Sequence, residues 1–273
     1  MQFSITRQRF YQEINQTDGQ IDLAKAALYI AQEKFPELDI QEYLNALDTM
    51  AAEVHERLPE QRYPLKVIQT LNQYLFQDLG FIGNQNNYYD PFNSYLNQVI
   101  ERRTGIPITL SVIYLEIAKR INFPMVGIGM PGHFLIRPEF QEAGIYVDAF
   151  NQGEILFPED CEARLSQIYG QPMQLRAEFL QAVSPKQILA RMLTNLKVIY
   201  MNSEFYETAL SMIELILLLF PNTITEKRDR GILYYQLNRW VEARQDLEDY
   251  LQQSPMAQDA SVIRQLLARI PLV

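Results

Sequence analysis

One set of residues that recurs at a fixed spacing constrains the fold of this chain more than any other feature. The set contains two aromatic residues, an alanine and a proline, and it occurs twice: Tyr200, Tyr206, Ala209 and Pro221 return 34 residues later as Tyr234, Trp240, Ala243 and Pro255. A period of this length is typical of a helix–turn–helix unit with a small residue where its two helices cross closely. The last third of the chain is therefore predicted to be entirely α-helical.

This period resembles that of the tetratricopeptide repeat. We expect a repeat region over residues 181–273, in which residues 256–271 form a capping helix. Trp240 is predicted to be a core residue at a helix crossing and not a ligand contact. Repeats of this class commonly present a concave surface to peptides, so the region predicts a protein or peptide partner.

The first 180 residues have a different pattern, which predicts an α+β domain over residues 1–180. Apolar residues follow helical spacing from residue 19 to about residue 79, a short helix is expected at 94–103, and a fully buried helix at 106–121. After Asn122 the pattern changes to short β-branched or aromatic runs separated by Gly and Pro, such as PMVGIGM, HFLIRPEF, IYVDAF and EILFP. We expect a small antiparallel sheet packed on the 106–121 helix.

The net charge of −9 argues against two classes of partner. Residues 181–273 hold equal numbers of basic and acidic side chains, so the first 180 residues carry the whole excess. A surface of this sign repels phosphate groups, which disfavours nucleic acid and anionic membranes. The single cysteine, Cys161, fits a reducing cytoplasm, and no apolar secretion signal is seen at the N-terminus. No spacing of histidines and cysteines predicts a metal site, and no glycine-rich phosphate loop predicts a cofactor.

Two residues of the α+β region are typical of a catalytic base and the acid that orients it. His133 follows Pro131-Gly132 and leads into one predicted strand, and Asp148 lies in the next one. We interpret both as lying at strand starts. A histidine held by a carboxylate can activate a nucleophile that lies within about 2.6–3.2 Å. The structural alternative is a buried pair that ties two strands together and faces a pocket.

Four features together resemble the SirB family, a bacterial group with a transglutaminase-like domain followed by tetratricopeptide repeats. They are FIGNQNNYYDPFNSYLNQVIERRTGIPITLS, PGHFLIR, YVDAFN and the repeats themselves. The resemblance covers nearly the whole chain, and the same domain occurs in some eukaryotic F-box proteins. In the superfamily a cysteine at the start of the helix is activated by a histidine. The resemblance therefore implies His133 as the base and Asp148 as the orienting acid.

The position expected for that cysteine is occupied by Pro107, which has no nucleophilic side chain. Thr109 and Ser111 carry hydroxyl groups nearby, but a shift along the helix displaces a side chain and rotates it away from the cleft. Cys161 is an alternative thiol, although the three acidic residues around it favour a raised pKa and low reactivity. The sequence thus predicts a transglutaminase-like fold without its nucleophile.

The leading hypothesis is a non-catalytic protein-interaction or regulatory module that uses its cleft and its repeats. The alternative is an amidase or acyl-transfer hydrolase in which Ser111 or Thr109 acts with His133 and Asp148. The residues expected to line the cleft are polar or aromatic: Asn84, Tyr88, Tyr89, Asp90, Asn93, Arg103, Arg137 and Asn151. A structural hydrogen-bond network is the other explanation for those that precede the buried helix. Arg137 is expected on the same strand face as His133, paired with an acid.

Overall fold

The computed structural model describes residues 4–140 and 144–271. The chain forms two compact units, and the boundary between them lies between Met192 and Leu193. That boundary falls inside one continuous helix, Pro185–Asn202, whereas the sequence pattern places the change of domain at residue 181. The change in the apolar pattern of the sequence therefore comes before the boundary between the two compact units, which lies inside helix Pro185–Asn202.

The first unit is rich in helices. They are α1 (Ile5–Ile14), α2 (Leu23–Lys34), α3 (Ile40–Glu56), α4 (Pro64–Asn72, continued by a π-helical turn at Gln73–Asp78), α5 (Leu96–Arg102), α6 (Pro107–Arg120) and α7 (Pro158–Tyr169). Helix α2 begins where the Asp22 carboxylate accepts a hydrogen bond from Lys25 N, and α3 begins where Asp39 accepts from Gln41 N. These side chains satisfy backbone N–H groups that a helix leaves unpaired at its start.

Helix α6 is the central helix of this unit. Every residue from Pro107 to Ala118 is buried, which confirms the prediction of a fully buried helix. It packs against α3 and against the sheet of this unit. Replacing a large apolar residue in such a position by alanine typically costs about 2–5 kcal/mol.

The strands form two sheets. A short parallel pair joins β1 (Ile82–Gly83) to β2 (Thr104–Gly105), directly before α6. The other sheet is antiparallel and has the order β6-β5-β4-β3-β7: β3 (Met125–Ile128), β4 (Leu135–Pro138), β5 (Tyr146–Asp148), β6 (Glu154–Leu156) and β7 (Ala182–Val183). The predicted α+β class and the antiparallel sheet are confirmed. Strand β7 was not predicted, because two residues are too few to show a period.

The antiparallel register explains how the histidine and the aspartate come together. His133 lies in the turn before β4, whereas Asp148 is the last residue of β5. Ile136 of β4 faces Val147 of β5 in the register. Antiparallel strands place the start of one beside the end of the next. The interpretation that both residues lie at strand starts was therefore wrong for Asp148, and this is why the two side chains share one edge.

The chain continues through five helices: α8 (Pro185–Asn202), α9 (Tyr206–Leu219), α10 (Ile224–Gln236), α11 (Trp240–Gln253) and α12 (Ala260–Arg269). Ala209 and Ala243, the small residues of the repeat, are fully buried. Gly231 lets α10 and α11 approach each other closely, because a Cβ atom at this position would lie 2.8 Å from the Leu247 side chain. The predicted helical repeat region is confirmed.

The prediction that Trp240 is a core residue was wrong. Trp240 is the first residue of α11 and is only half-buried. Its ring packs edge-on against Tyr235 at a centroid distance of 5.3 Å. The repeat spacing correctly placed an aromatic residue at the helix start. Burial was decided by the packing of the neighbouring helices, which the spacing does not contain.

Two absences apply to residues 4–140 and 144–271. No helix there is long and apolar enough to cross a lipid bilayer. In the same residues, no three His, Cys, Asp or Glu side chains group as they would to hold a metal ion.

Candidate functional site

The turn that carries His133 depends on a glycine. Gly132 has a positive φ of +74°, a backbone conformation that other residues rarely adopt. A Cβ atom on Gly132 would also lie 2.7 Å from Ile168 Cγ2 of α7. The turn closes with a hydrogen bond from His133 N to Met130 O at 3.1 Å. The Pro131-Gly132-His133 motif therefore sets the direction in which the imidazole leaves the backbone.

His133 and Asp148 form a buried pair. The Nε2 atom of His133 lies 2.8 Å from Oδ2 of Asp148, with 7% of the histidine and none of the aspartate exposed. Asp148 also accepts hydrogen bonds from three other residues. Its Oδ1 accepts the backbone N–H groups of Phe150 and Asn151, and its Oδ2 accepts from Asn151 Nδ2 at 2.8 Å and Arg164 Nη1 at 3.0 Å.

These contacts favour the ionised form of Asp148. Burial alone would raise the pKa of Asp148, but the hydrogen bond and charge of His133, together with Asn151 and Arg164, hold that pKa below its ordinary value. An ionised carboxylate only accepts, so His133 Nε2–H donates to it. In the neutral imidazole, Nδ1 then carries the free lone pair. Within the described part of the chain, Nδ1 has no hydrogen-bond partner.

Three aromatic rings, Phe150, Tyr88 and Tyr89, form a cluster beside the imidazole, which we call the aromatic wall. The Phe150 ring lies edge-on to His133 at 6.2 Å and to Tyr88 at 6.1 Å. The same ring lies against Gly83, where a Cβ atom would come within 2.5 Å of it. Because Gly83 pairs with Gly105 just before α6, Phe150 links the start of that helix to His133.

The two hydroxyl groups weighed as nucleophiles are engaged elsewhere or isolated. Thr109 Oγ1 donates to Asn93 O at 2.7 Å and accepts from Ile106 N at 3.1 Å, which caps the start of α6. Ser111 Oγ is buried and has no hydrogen-bond partner among the described residues. Neither hydroxyl is hydrogen-bonded to His133 in that part of the chain.

Cys161 lies in the apolar core and not in the cleft. It is fully buried in a cluster with Met130, Leu135 and Leu165. Burial, followed by the charges of Asp160 and Asp148, raises the pKa of its thiol to about 12. The thiolate is the nucleophilic form, so this cysteine is a poor nucleophile near neutral pH. The sequence-based expectation of a raised pKa agrees with this direction.

The loop before α5 is held by its own amides. Asn93 is fully buried and receives Asn84 Nδ2 on its Oδ1 at 3.1 Å, while its Nδ2 donates to the backbone oxygens of Asn87 and Tyr88. Asp90 accepts from Phe92 N and from Arg102 Nη2 at 2.9 Å. The side chains of Asn84, Asp90 and Asn93 therefore form the structural network that was the alternative explanation.

The remaining expected cleft residues divide into two groups. Asn151 and Tyr88 lie at the pair, Asn151 by its hydrogen bond to Asp148 and Tyr88 through Phe150, and Tyr89 extends the aromatic wall with 71% of its surface exposed. Arg103 and Arg137 do not join them.

Arg103 and Arg137 have other contacts. Arg103 has a positive φ of 55°, and its guanidinium stacks on Phe81 at 4.7 Å. Arg137 donates to the backbone oxygens of Pro138 and Glu139, and in the described chain no acid pairs with it. The ion pair expected for Arg137 is thus replaced by backbone contacts, because His133 precedes β4 and does not share its alternation.

Two arginines of the site were not found from the sequence: Arg164 and Arg191. Arg164 donates to both Asp148 and Glu154, the latter at 2.5 Å. Arg191 donates through Nη2 to His133 O at 2.7 Å and through Nη1 to Met130 O at 3.3 Å. Both arginines lie on helices distant in sequence from His133, and no local motif marks them.

Comparisons with known proteins agree with this architecture. Residues 41–194 match a family described as the transglutaminase-like superfamily, and residues 196–268 match the tetratricopeptide repeat. A UPF0162 protein of Xylella fastidiosa (strain 9a5c) is 38% identical over 251 residues, which is 90% of this chain and 89% of the relative. A UPF0162 protein of Vibrio cholerae is 30% identical over 248 residues, again 90% and 89% of the two chains.

A more distant likeness involves a longer protein. The human F-box only protein 21 is 31% identical over 188 residues, which cover 65% of this chain and 29% of that protein. No solved structure matches the chain.

Proposed function

Because the chain belongs to the UPF0162 family and joins a transglutaminase-like domain to tetratricopeptide repeats, we propose that it is a non-catalytic peptide-recognition protein. The His133 cleft is the recognition site in this proposal, and the repeats hold a protein partner. The SirB-like motifs quoted above support placing the chain in the SirB group as well.

One observation carries the proposal: the base and its orienting acid are present, but no nucleophile contacts the base among residues 4–140 and 144–271. Acyl transfer by this chemistry needs a hydroxyl or thiol within hydrogen-bond reach of the histidine. Pro107 occupies the expected position, Thr109 caps α6, and Ser111 and Cys161 are buried in the core. No contact among the described residues favours the hydrolase alternative.

The repeats support the protein-interaction half of the proposal. Tetratricopeptide repeats use their stacked helices as a peptide-binding surface. The net charge of −9 supports a protein partner over a nucleic acid. A cytoplasmic location is proposed with it, supported by the single unpaired cysteine.

The proposal is tested by two measurements on the same variants. His133→Gln keeps an N–H for Asp148, and His55→Gln changes the exposed histidine on α3 as the matched control. The protein is incubated with a fluorophosphonate probe and with a chloroacetyl probe, and adducts are detected by mass spectrometry. No adduct that depends on His133 is expected. On an array of random peptides, the wild type is expected to bind a subset that His133→Gln loses and His55→Gln retains.

Two outcomes would overturn the proposal. One is a covalent adduct that forms on the wild type and on His55→Gln but not on His133→Gln, since this would show that His133 activates a nucleophile. The other is an unchanged set of bound peptides on the His133→Gln protein, which would remove the cleft as the recognition site.

A further inference from the structure

Arg191 contacts the turn that carries His133, and the proposed function gives its positive charge no role. Its guanidinium donates to the backbone oxygens of His133 and Met130 and lies 5.5 Å from the centre of the Phe134 ring. These contacts hold the turn that carries the imidazole. They use two of the five N–H groups of the side chain.

No negative charge balances Arg191 within the described residues. Arg164 pairs with both Asp148 and Glu154. Arg191 has no carboxylate within ion-pair distance in the same residues, although its side chain is half-buried. Burial lowers the pKa of Arg191, and the phenol of Tyr88 acts on that pKa in the opposite direction.

An uncompensated and partly buried guanidinium favours an anion. Removing a cation from water costs free energy unless a counter-charge or hydrogen-bond acceptors replace the lost hydration. Two backbone oxygens replace part of that hydration, and three N–H groups remain. The planar fork of an arginine fits a carboxylate with two parallel hydrogen bonds.

The free lone pair of His133 Nδ1 requires that the ligand also carries a hydrogen-bond donor. Arg191 lies against the backbone oxygen of His133, while Nδ1 is on the ring of that same residue. The same residue is thus contacted by a cation at its backbone oxygen and carries an acceptor on its ring. The last residue of a peptide offers the complementary pair, because its amide N–H and its terminal carboxylate are joined through a single Cα atom.

We propose that the cleft recognises the free C-terminus of a peptide. The terminal carboxylate pairs with Arg191, the last amide N–H donates to His133 Nδ1, and the last side chain packs on Phe150 and Tyr88. This inference rests on the proposed peptide-recognition function and adds the part of the peptide that is bound. The overall charge of −9 is consistent with it, since a single carboxylate held by one arginine differs from a polyanion.

The test uses three small probes and the wild-type protein. They are N-acetyl-phenylalanine, N-acetyl-phenylalanine amide, and N-acetyl-aspartic acid amide, whose carboxylate lies on a side chain. Each is titrated while the imidazole nitrogen signals are followed by NMR. The chain contains two histidines, so a His55→Gln variant assigns the His133 signals. N-acetyl-phenylalanine is expected to bind at least about tenfold more tightly than either amide and to shift the Nδ1 signal.

Variants then locate the carboxylate. Arg191→Gln is expected to lower the affinity for N-acetyl-phenylalanine about tenfold or more. Arg176→Gln, which changes an exposed arginine of the same unit that pairs with Glu178, is expected to leave that affinity unchanged. Because Arg191 also holds the turn, unfolding curves of both variants accompany the titration. The comparison of acid and amide on the wild type does not depend on any variant.

Each outcome has one meaning. Equal binding of the acid and its amide, or equal binding of the aspartic acid amide, would overturn the assignment to a C-terminus while leaving peptide recognition in place. Loss of binding in Arg176→Gln to the same extent as in Arg191→Gln would also overturn it. Covalent modification or hydrolysis of a probe would instead overturn the proposed function itself.

Discussion

The Nε2 atom of His133 and the Oδ2 atom of Asp148 are 2.8 Å apart, in a pair from which solvent is almost excluded. The aspartate accepts hydrogen bonds from four residues, and the histidine keeps one nitrogen free. This asymmetry leaves Nδ1 of a neutral His133 as a hydrogen-bond acceptor. The predictions below follow from it and from the packing around it.

Asp148→Asn is expected to lower the free energy of unfolding by about 3–5 kcal/mol, because it removes the charge between His133 and Arg164 in a fully buried position. Glu154→Gln is the control, since it removes only the half-exposed second partner of Arg164 and should cost less than about 1 kcal/mol. Urea unfolding measures both. Equal losses in the two variants would contradict the central role of Asp148.

The stability of the protein is expected to fall below about pH 4 through Asp148. Its folded pKa is held below the ordinary value, so the unfolded chain binds the proton first as the pH drops. The stabilisation is therefore fully present above the unfolded pKa and is lost as the pH falls through the folded pKa. Unfolding free energies measured from pH 6 to pH 2 should show a shallower decline in Asp148→Asn. The same slope in both proteins would rule out this group as the cause.

Cys161 is expected to resist alkylation in the folded protein. Burial raises its pKa to about 12, so almost no thiolate forms at pH 7.5. Iodoacetamide should label the chain at least about a hundredfold more slowly in buffer than in concentrated urea, where one site per chain reacts. Mass spectrometry follows the rate. Rapid labelling of the native protein would show that the thiol is accessible and would reopen it as a nucleophile.

Gly83→Ala is expected to disturb the cleft from a distance. The added Cβ atom would lie 2.5 Å from the Phe150 ring, which must move and which contacts His133. The expected cost is about 1–3 kcal/mol, together with a shift of the His133 imidazole signals. Gly19→Ala is the matched control, because its Cβ atom would meet nothing within 4 Å. Unchanged imidazole signals in Gly83→Ala would separate Phe150 from the histidine.

Trp240→Ala is expected to cost about 1–2 kcal/mol, less than a core tryptophan would, because the ring is half-buried and its aromatic contact is with Tyr235. Val241→Ala, at an exposed neighbour, should stay within about 0.5 kcal/mol. Thermal unfolding provides the comparison. A loss of 3–5 kcal/mol for Trp240→Ala would restore the core assignment.

The sequence by itself determined the fold class and the helical repeats. The spacing of Ala209 and Ala243 specifies a close helix crossing, and Pro131-Gly132-His133 specifies a turn before a strand. Such patterns are local, since helix and strand periods repeat within a few residues. They can be recognised without knowing which segments meet.

Only the tertiary structure decided which groups surround the histidine. Asp148 reaches His133 because the antiparallel register sets the end of β5 beside the start of β4. Arg164 of α7 reaches Asp148, Arg191 of α8 reaches the backbone oxygen of His133, and Thr109 turns to cap its own helix. Each of these contacts joins residues far apart in the chain or is fixed by packing against a distant segment. Periodicity and motif spacing carry no information about such contacts, because register and packing set them across the whole fold.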